Sequence, residues 1–97
     1  GEPAAAAELP QQVALAGNYP NPFNPATTVR FALPEGQHVR LTVFNLLGQP
    51  VQVLVDGYHE AGTHDVRFDA RDLASGVYMA RLETAQTTAH LNMVLMK

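Results

Sequence analysis

Apolar and polar residues alternate along most of the chain with a period of two. After residue 27, for example, Val29, Phe31 and Leu33 fall on one side, and Thr28 and Arg30 fall on the other. This period predicts a β-strand with one buried face, because successive side chains of a strand point to opposite faces of its sheet. The further predicted core-facing sets are Val39, Leu41 and Val43; Val51, Val53 and Val55; His64, Val66 and Phe68; Tyr78, Ala80 and Leu82; and Ala89, Leu91, Met93 and Leu95.

Turn-forming residues separate these segments. They lie at residues 34–37, at 47–49, at 72–76, and at Asp56 and Gly57, where a tight hairpin is predicted. Apolar residues are sustained nowhere at helical spacing, so no long helix is expected. The sequence therefore predicts an all-β fold, an immunoglobulin- or fibronectin-like antiparallel β-sandwich of about seven strands, in which each sheet has one wet face.

The N-terminal residues lack the alternation. Residues 1–17 are rich in alanine at their start, and we expect a linker there with a short edge strand around Val13 and Leu15. Residues 18–97 are expected to form the folded domain, a C-terminal β-sandwich.

Three prolines stand close together at the start of that domain, in the segment 18–25. Proline lacks an amide donor and keeps the preceding residue extended, so an edge segment or a loop that enters the sheet is expected. Pro22 and Phe23 are assigned structural roles here, with Phe23 holding the segment against the core.

The residues from Leu73 to Tyr78 resemble a tyrosine corner. In Greek-key sandwiches the hydroxyl of such a tyrosine bonds to the backbone a few residues upstream. Leu73 is expected to fill the bottom of the core, and Gly76 to permit the tight corner. All three residues are predicted to be structural.

Composition and charge exclude several functions. The chain of 97 residues has a formal net charge of -3, and its few basic residues are scattered. Binding to nucleic acid through a basic face is therefore not expected. The absence of cysteine excludes disulfides and thiolate metal sites. No apolar run approaches the roughly 20 residues of a transmembrane segment.

Residues with catalytic potential are few. Ser75 is the only serine and lies in the predicted corner, so a serine nucleophile is not expected. The sequence predicts that the protein is not an enzyme and has no metal site and no cofactor. Calcium bound by Asp69 and Asp72 as a loop brace is kept as an alternative, although no calcium-loop pattern is present.

Aromatic residues offer another alternative. Tyr19, Phe23, Phe44 and Tyr58 could stack on sugars, although such platforms favour tryptophan and the chain has none. On this hypothesis the domain is a carbohydrate-binding or spacer module of a secreted glycoside hydrolase.

Several motifs follow one another in a fixed order. They occupy residues 19–25, 39–48, 53–57, 72–78 and 93–97. Over residues 18–97 this order resembles the type A C-terminal sorting domain of proteins exported by the type IX secretion system. It is also similar to the immunoglobulin-like domain of flagellar hook-capping proteins, so a structural assembly module is a further alternative.

The resemblance implies a non-catalytic module that directs a secreted multidomain protein of Bacteroidetes-like bacteria across the outer membrane to the cell surface or the medium. The implied partners are the outer-membrane type IX translocon, a sortase-like cysteine peptidase that removes the module, and anionic lipopolysaccharide that is joined to the cargo.

The last strand and the residues after it are expected to be recognised by the translocon. A strand at a sheet edge has unpaired amides and can add to the sheet of a partner, and a mobile terminal lysine would carry both an ammonium and a carboxylate group. The residues assigned to translocon recognition are Leu91, Met93, Val94, Leu95 and Lys97.

Overall fold

The computed structural model describes residues 9–97, and in that range its regular structure consists of strands alone. The strands are β1 (Ala14–Tyr19), β2 (Ala26–Leu33), β3 (Gln37–Phe44), β4 (Pro50–His59), β5 (Gly62–Asp69), β6 (Gly76–Glu83) and β7 (Thr88–Leu95). They form one sheet in the order β1-β2-β5 and a second in the order β4-β3-β6-β7, with antiparallel pairing throughout. The predicted all-β sandwich is confirmed.

The N-terminal boundary lies within a strand. β1 begins at Ala14 and ends at Tyr19, so it crosses the predicted division between residues 17 and 18. It is an edge strand of the smaller sheet, next to β2. The first part of the predicted linker, residues 1–8, lies outside the described residues. No helix in the described part of the chain is long and apolar enough to span a membrane.

The core lies between the two sheets and consists mainly of residues at alternate strand positions. Burying a large apolar side chain stabilises the fold by about 1.5–3 kcal/mol, so these alternating sets hold the sheets together. The buried members of these sets are Val29, Phe31, Leu33, Val39, Leu41, Val43, Val55, Phe68, Tyr78, Ala80, Leu82, Met93 and Leu95.

The predicted hairpin at Asp56 and Gly57 is wrong. β4 continues through both residues to His59, and Gly57 lies opposite Val39 of β3. The chain turns only after His59, and it then crosses to the other sheet, because β4 and β5 belong to different sheets. Pairing along the full length of β3 has overridden the local preference of an aspartate-glycine pair for a turn.

The alternation predicted for β4 is also interrupted. The pairing of β3 with β4 shifts between Leu41 and Thr42 and again between Val43 and Phe44. Each irregularity places an extra residue in β4, which moves the following side chains to the other face. Val55 is therefore buried, whereas Val53 lies opposite Thr42 and is 46% exposed.

The outer face of the larger sheet is not uniformly wet, contrary to the prediction. Thr42 and Phe44 alternate with the core residues of β3, yet both are buried. The guanidinium of Arg81 lies 4.3 Å from the centre of the Phe44 ring and covers it. The outer face thus carries a small apolar cluster of its own.

The two ends of the sandwich carry different features. At one end, here called the tail end, β1 and β7 finish and Phe23 pairs with Leu95. The turn from β3 to β4 and the crossover from β5 to β6 (residues 70–75, the corner turn) are at this end as well. β1 starts at the opposite end, where Ala14 lies opposite Ala32.

Candidate recognition site at the tail end

The residues assigned to translocon recognition fall into two groups by burial. Met93 and Leu95 point into the core and are 0% and 1% exposed, and Leu91 packs against the same core. Val94 points to the outer face and is half-buried, and Lys97 is exposed. A protein that binds the folded domain can therefore contact the side chains of Val94 and Lys97, while the other three position the strand.

The outer edge of β7 is partly occupied by the proline segment (residues 20–25). The amide of Phe23 donates to the carbonyl of Val94 at 2.9 Å, and the amide of Met96 donates to the carbonyl of Phe23 at 2.9 Å. The amide of Val94 donates to the Oδ1 atom of Asn21 at 3.0 Å. The expected free edge for strand addition is thus filled at its C-terminal part, because this segment already acts as the neighbour.

Phe23 holds the proline segment in place. Its ring is buried and its centre lies 5.7 Å from that of Phe68. The carbonyl of Pro25 accepts the amide of Ala70 at 2.8 Å, which joins the segment to the corner turn. Pro22 itself is exposed. Pro22 and Pro25 have no amide to donate, whereas the amide and carbonyl of Phe23 both bond to β7 and the tail.

The corner turn has the contact that defines a tyrosine corner. The hydroxyl of Tyr78 donates to the carbonyl of Ala74 at 2.6 Å. Leu73 packs against the core from the turn. Gly76 has a φ of 154°, a backbone conformation that residues with a Cβ atom rarely adopt. Glycine therefore suits the point where the turn enters β6.

The tail (residues 94–97) is folded onto this corner turn. The amide of Lys97 donates to the Oγ atom of Ser75 at 2.9 Å. The Nζ atom of Lys97 donates to the carbonyls of Arg71 at 2.6 Å and of Leu73 at 2.9 Å. Charged donors make stronger hydrogen bonds than neutral ones. The tail is therefore held by contacts at both its backbone and its side chain.

Sequence reasoning did not identify Asn21 or Ser75 as partners of the tail. Ser75 lies 22 positions from Lys97, and Asn21 lies 73 positions from Val94. Only the folded arrangement brings them together. The one usable signal for Asn21 was its place among prolines, where a polar side chain can replace a missing backbone donor or acceptor.

The carboxylate of Asp69 is engaged by Arg71. Its Oδ1 atom accepts the Arg71 amide at 3.1 Å, and its Oδ2 atom accepts the Arg71 Nε at 3.1 Å. The hydrogen bonds from the Arg71 side chain, followed by the one from its amide, lower the pKa of Asp69 to about 2. The pair steadies the corner turn, whose Arg71 carbonyl accepts the lysine of the tail.

The four aromatic residues of the suggested sugar platform do not form one surface. Phe23 and Phe44 are buried. Tyr19 is exposed at the tail end, whereas Tyr58, also exposed, lies opposite His38 near the other end of the sandwich. The residues are too dispersed for a flat stacking surface.

Comparison with known proteins gives one match. Residues 18–96 match the family described as secretion system C-terminal sorting domain. No curated protein and no solved structure matches the chain. The family does not support the carbohydrate-binding, spacer or hook-cap alternatives. The chain belongs to the secretion system C-terminal sorting domains, which act as type IX secretion signals and lead to export across the outer membrane to the cell surface or the extracellular space.

Proposed function

We propose that the outer-membrane type IX translocon recognises this domain in its folded state through the tail and the corner turn that holds it. The observation that carries the proposal is the docking of Lys97 on Ser75, Arg71 and Leu73. A docked tail has a fixed shape, so a partner loses less conformational entropy on binding it than on binding a disordered segment.

The position of the tail favours this role. It lies at the end of the sandwich opposite to the start of β1. The start of β1, where preceding chain joins this part of the domain, therefore lies on the far side and leaves the tail end open to a partner. Val94 and Lys97 supply the accessible side chains, while Leu91, Met93 and Leu95 are positioning residues that fix β7 on the core.

A sortase-like cysteine peptidase and anionic lipopolysaccharide are proposed as later partners of the exported protein. A peptidase that removes the domain would act on chain before β1. Because β1 starts at the end opposite to the tail, a domain held by its tail would leave the start of β1 accessible to the peptidase. Lipopolysaccharide would then be joined to the cargo and would not contact this domain.

The domain is proposed to act without catalysis and without a cofactor. The Oγ atom of Ser75 accepts a hydrogen bond from the tail, at the end opposite to the histidine pair His59 and His64, which packs on Phe31. Both carboxylate oxygens of Asp69 accept hydrogen bonds from Arg71, so this aspartate is poorly placed to brace a calcium ion. A structural role for both residues accounts for their contacts.

Export of a reporter tests the proposal. The full chain is fused behind a fluorescent reporter that carries a periplasmic signal, in a bacterium with a working type IX system and in a translocon-deficient strain. We expect export to require the translocon, and to be lost on deletion of residues 94–97 and reduced by Lys97→Ala. Arg67→Ala, which removes an exposed cation from β5, is the matched control and should leave export unchanged.

The outcomes separate folding from recognition. Each fusion is purified from the periplasm and its melting temperature measured, so that an unfolded variant is identified. A folded Lys97→Ala protein that is exported as well as the parent, together with normal export of the deletion, would refute recognition through the tail.

A further inference from the structure

The turn between β3 and β4 presents two leucines to solvent on a rigid support. Leu46 and Leu47 are 77% and 82% exposed. The Oδ1 atom of Asn45 accepts the amides of Leu47 at 2.9 Å and Gln49 at 3.0 Å, and its Nδ2 atom donates to the Gln49 side chain at 2.8 Å. Gly48 closes the turn with a φ of 79°. The leucines are thus held outward by a well-bonded turn.

The apolar surface continues from this turn across the outer face of the larger sheet. Phe44, the last residue of β3, lies opposite Met79 of β6. Two residues before Met79 in β6, and on the same face of the sheet, Val77 lies opposite Val94 of β7. We call the accessible part the outer apolar surface, and it comprises Leu46, Leu47, Val53, Val77, Met79 and Val94.

This surface joins the proposed recognition site. Val94 belongs both to the tail and to the outer apolar surface. Isolated exposed leucines are common in soluble proteins, but a contiguous set on one face marks a binding surface. The surface therefore extends the area available to a partner from the tail to the turn of Leu46 and Leu47.

The charge around the surface indicates the kind of partner. Residues 41–55, which include the whole turn, contain no charged side chain. A loop that inserts into an anionic bilayer is expected to be flanked by lysine or arginine, and this loop has none. Arg81, whose guanidinium lies over the Phe44 ring, borders the sheet part of the surface. A mainly apolar surface with its neighbouring cation engaged on an aromatic ring is complementary to a mainly apolar pocket on a protein.

We propose that the outer apolar surface docks into an apolar pocket on a protein component of the type IX export machinery, with Leu46 and Leu47 as the anchoring side chains. The proposal rests on the proposed function, because it gives the same partner a second contact next to the tail. Large side chains near the centre of an interface carry most of its binding energy, so replacing both leucines should weaken binding to the partner strongly.

The variant that tests this proposal combines Leu46→Ser with Leu47→Ser in the reporter fusion. We expect its export to fall by about tenfold or more, with a melting temperature close to that of the parent because both side chains are exposed. Leu9→Ser, an exposed leucine ahead of β1, is the matched control and should export normally. Leu47→Ser alone provides a second, milder variant should the double variant be unstable.

A photo-crosslinking residue at position 46 tests the partner directly. We expect a crosslink to an outer-membrane type IX component in the wild-type strain, and its loss when residues 94–97 are deleted. Folded serine variants that export normally would overturn the proposal while leaving the tail deletion to test the proposed function separately.

Two further measurements test whether lipid or a second copy of the chain occupies this surface instead. Binding of the purified chain to protein-free vesicles of outer-membrane lipid, weakened by the double serine variant, would overturn the proposal in favour of lipid. Self-association in analytical ultracentrifugation, lost in the same variant, would overturn it in favour of a second copy of the chain. The proposal expects no vesicle binding and a monomer.

Discussion

The amide of Lys97 lies 2.9 Å from the Oγ atom of Ser75, although 22 positions separate them in the chain. This contact joins the end of the described chain to the turn that carries the tyrosine corner. The fold and the tail therefore share one set of supporting residues, and changes in the corner turn should be detectable in the tail.

Ser75→Ala should loosen the tail without unfolding the domain. The variant leaves the Lys97 amide without its acceptor, and a hydrogen bond of this type contributes about 0.5–1.5 kcal/mol. We expect faster hydrogen exchange at the Lys97 amide and a small decrease in melting temperature. Thr84→Ala, which removes a hydroxyl from the turn between β6 and β7, is the control and should leave exchange in the tail unchanged.

Tyr78→Phe should lower stability by about 0.5–1.5 kcal/mol, because the buried Tyr78 side chain loses its hydrogen bond to the carbonyl of the exposed Ala74. The measurement is urea unfolding followed by circular dichroism. Tyr19→Phe removes the hydroxyl of an exposed tyrosine and serves as the control. Equal unfolding midpoints for the two variants would contradict a stabilising role for the corner contact.

Asn21→Ala should expose the edge of β7 at Val94. The Val94 amide then loses the Oδ1 atom of residue 21, while the two backbone bonds of Phe23 stay in place. We expect faster hydrogen exchange at Val94 with little change at Met96. Asn24→Ala, in the same segment, is the control. Unchanged protection at Val94 would show that the backbone of Phe23 alone protects this edge.

The Asp69–Arg71 pair should make stability depend on pH in the acid range. The folded pKa of Asp69 is lowered to about 2, below the unfolded value of about 3.9, so the ionised form is favoured by folding. Its stabilising contribution is fully present above pH ~4 and is lost as the pH falls through ~2.

Thermal melts of wild type and Asp69→Asn between pH 2 and 7 measure this contribution. The wild-type advantage should be constant at neutral pH and should shrink as the pH falls from ~4 toward ~2. Asp72→Asn is the control in the same turn. A difference between wild type and Asp69→Asn that stays the same at the lowest pH would contradict the effect of the pair.

The strands could be predicted from the sequence because their signal is local. The alternation of Val29, Phe31 and Leu33 reflects burial of one strand face, which needs no knowledge of the partner strand. The turn predicted at Asp56 and Gly57 failed for the opposite reason, since pairing with β3 along the whole strand decides that conformation. Local preference is a weak guide when a longer ladder is available.

The support of the tail could not be predicted. Asn21 and Ser75 reach the tail only because the proline segment and the corner turn meet at one end of the sandwich. The turn predicted at residues 47–49 included Leu47, but the sequence did not show that no other segment would cover Leu46 and Leu47. In each case the missing information is the arrangement of distant segments.

The opposite placement of the start of β1 and the tail has a mechanical consequence. A force applied between chain before Ala14 and the tail would act along the strands, while the hydrogen bonds of an antiparallel pair run across them. The β1–β2 and β6–β7 ladders would then be loaded in shear, with many bonds sharing the load at once. A domain held by its tail and pulled by the chain attached at its other end would resist unfolding.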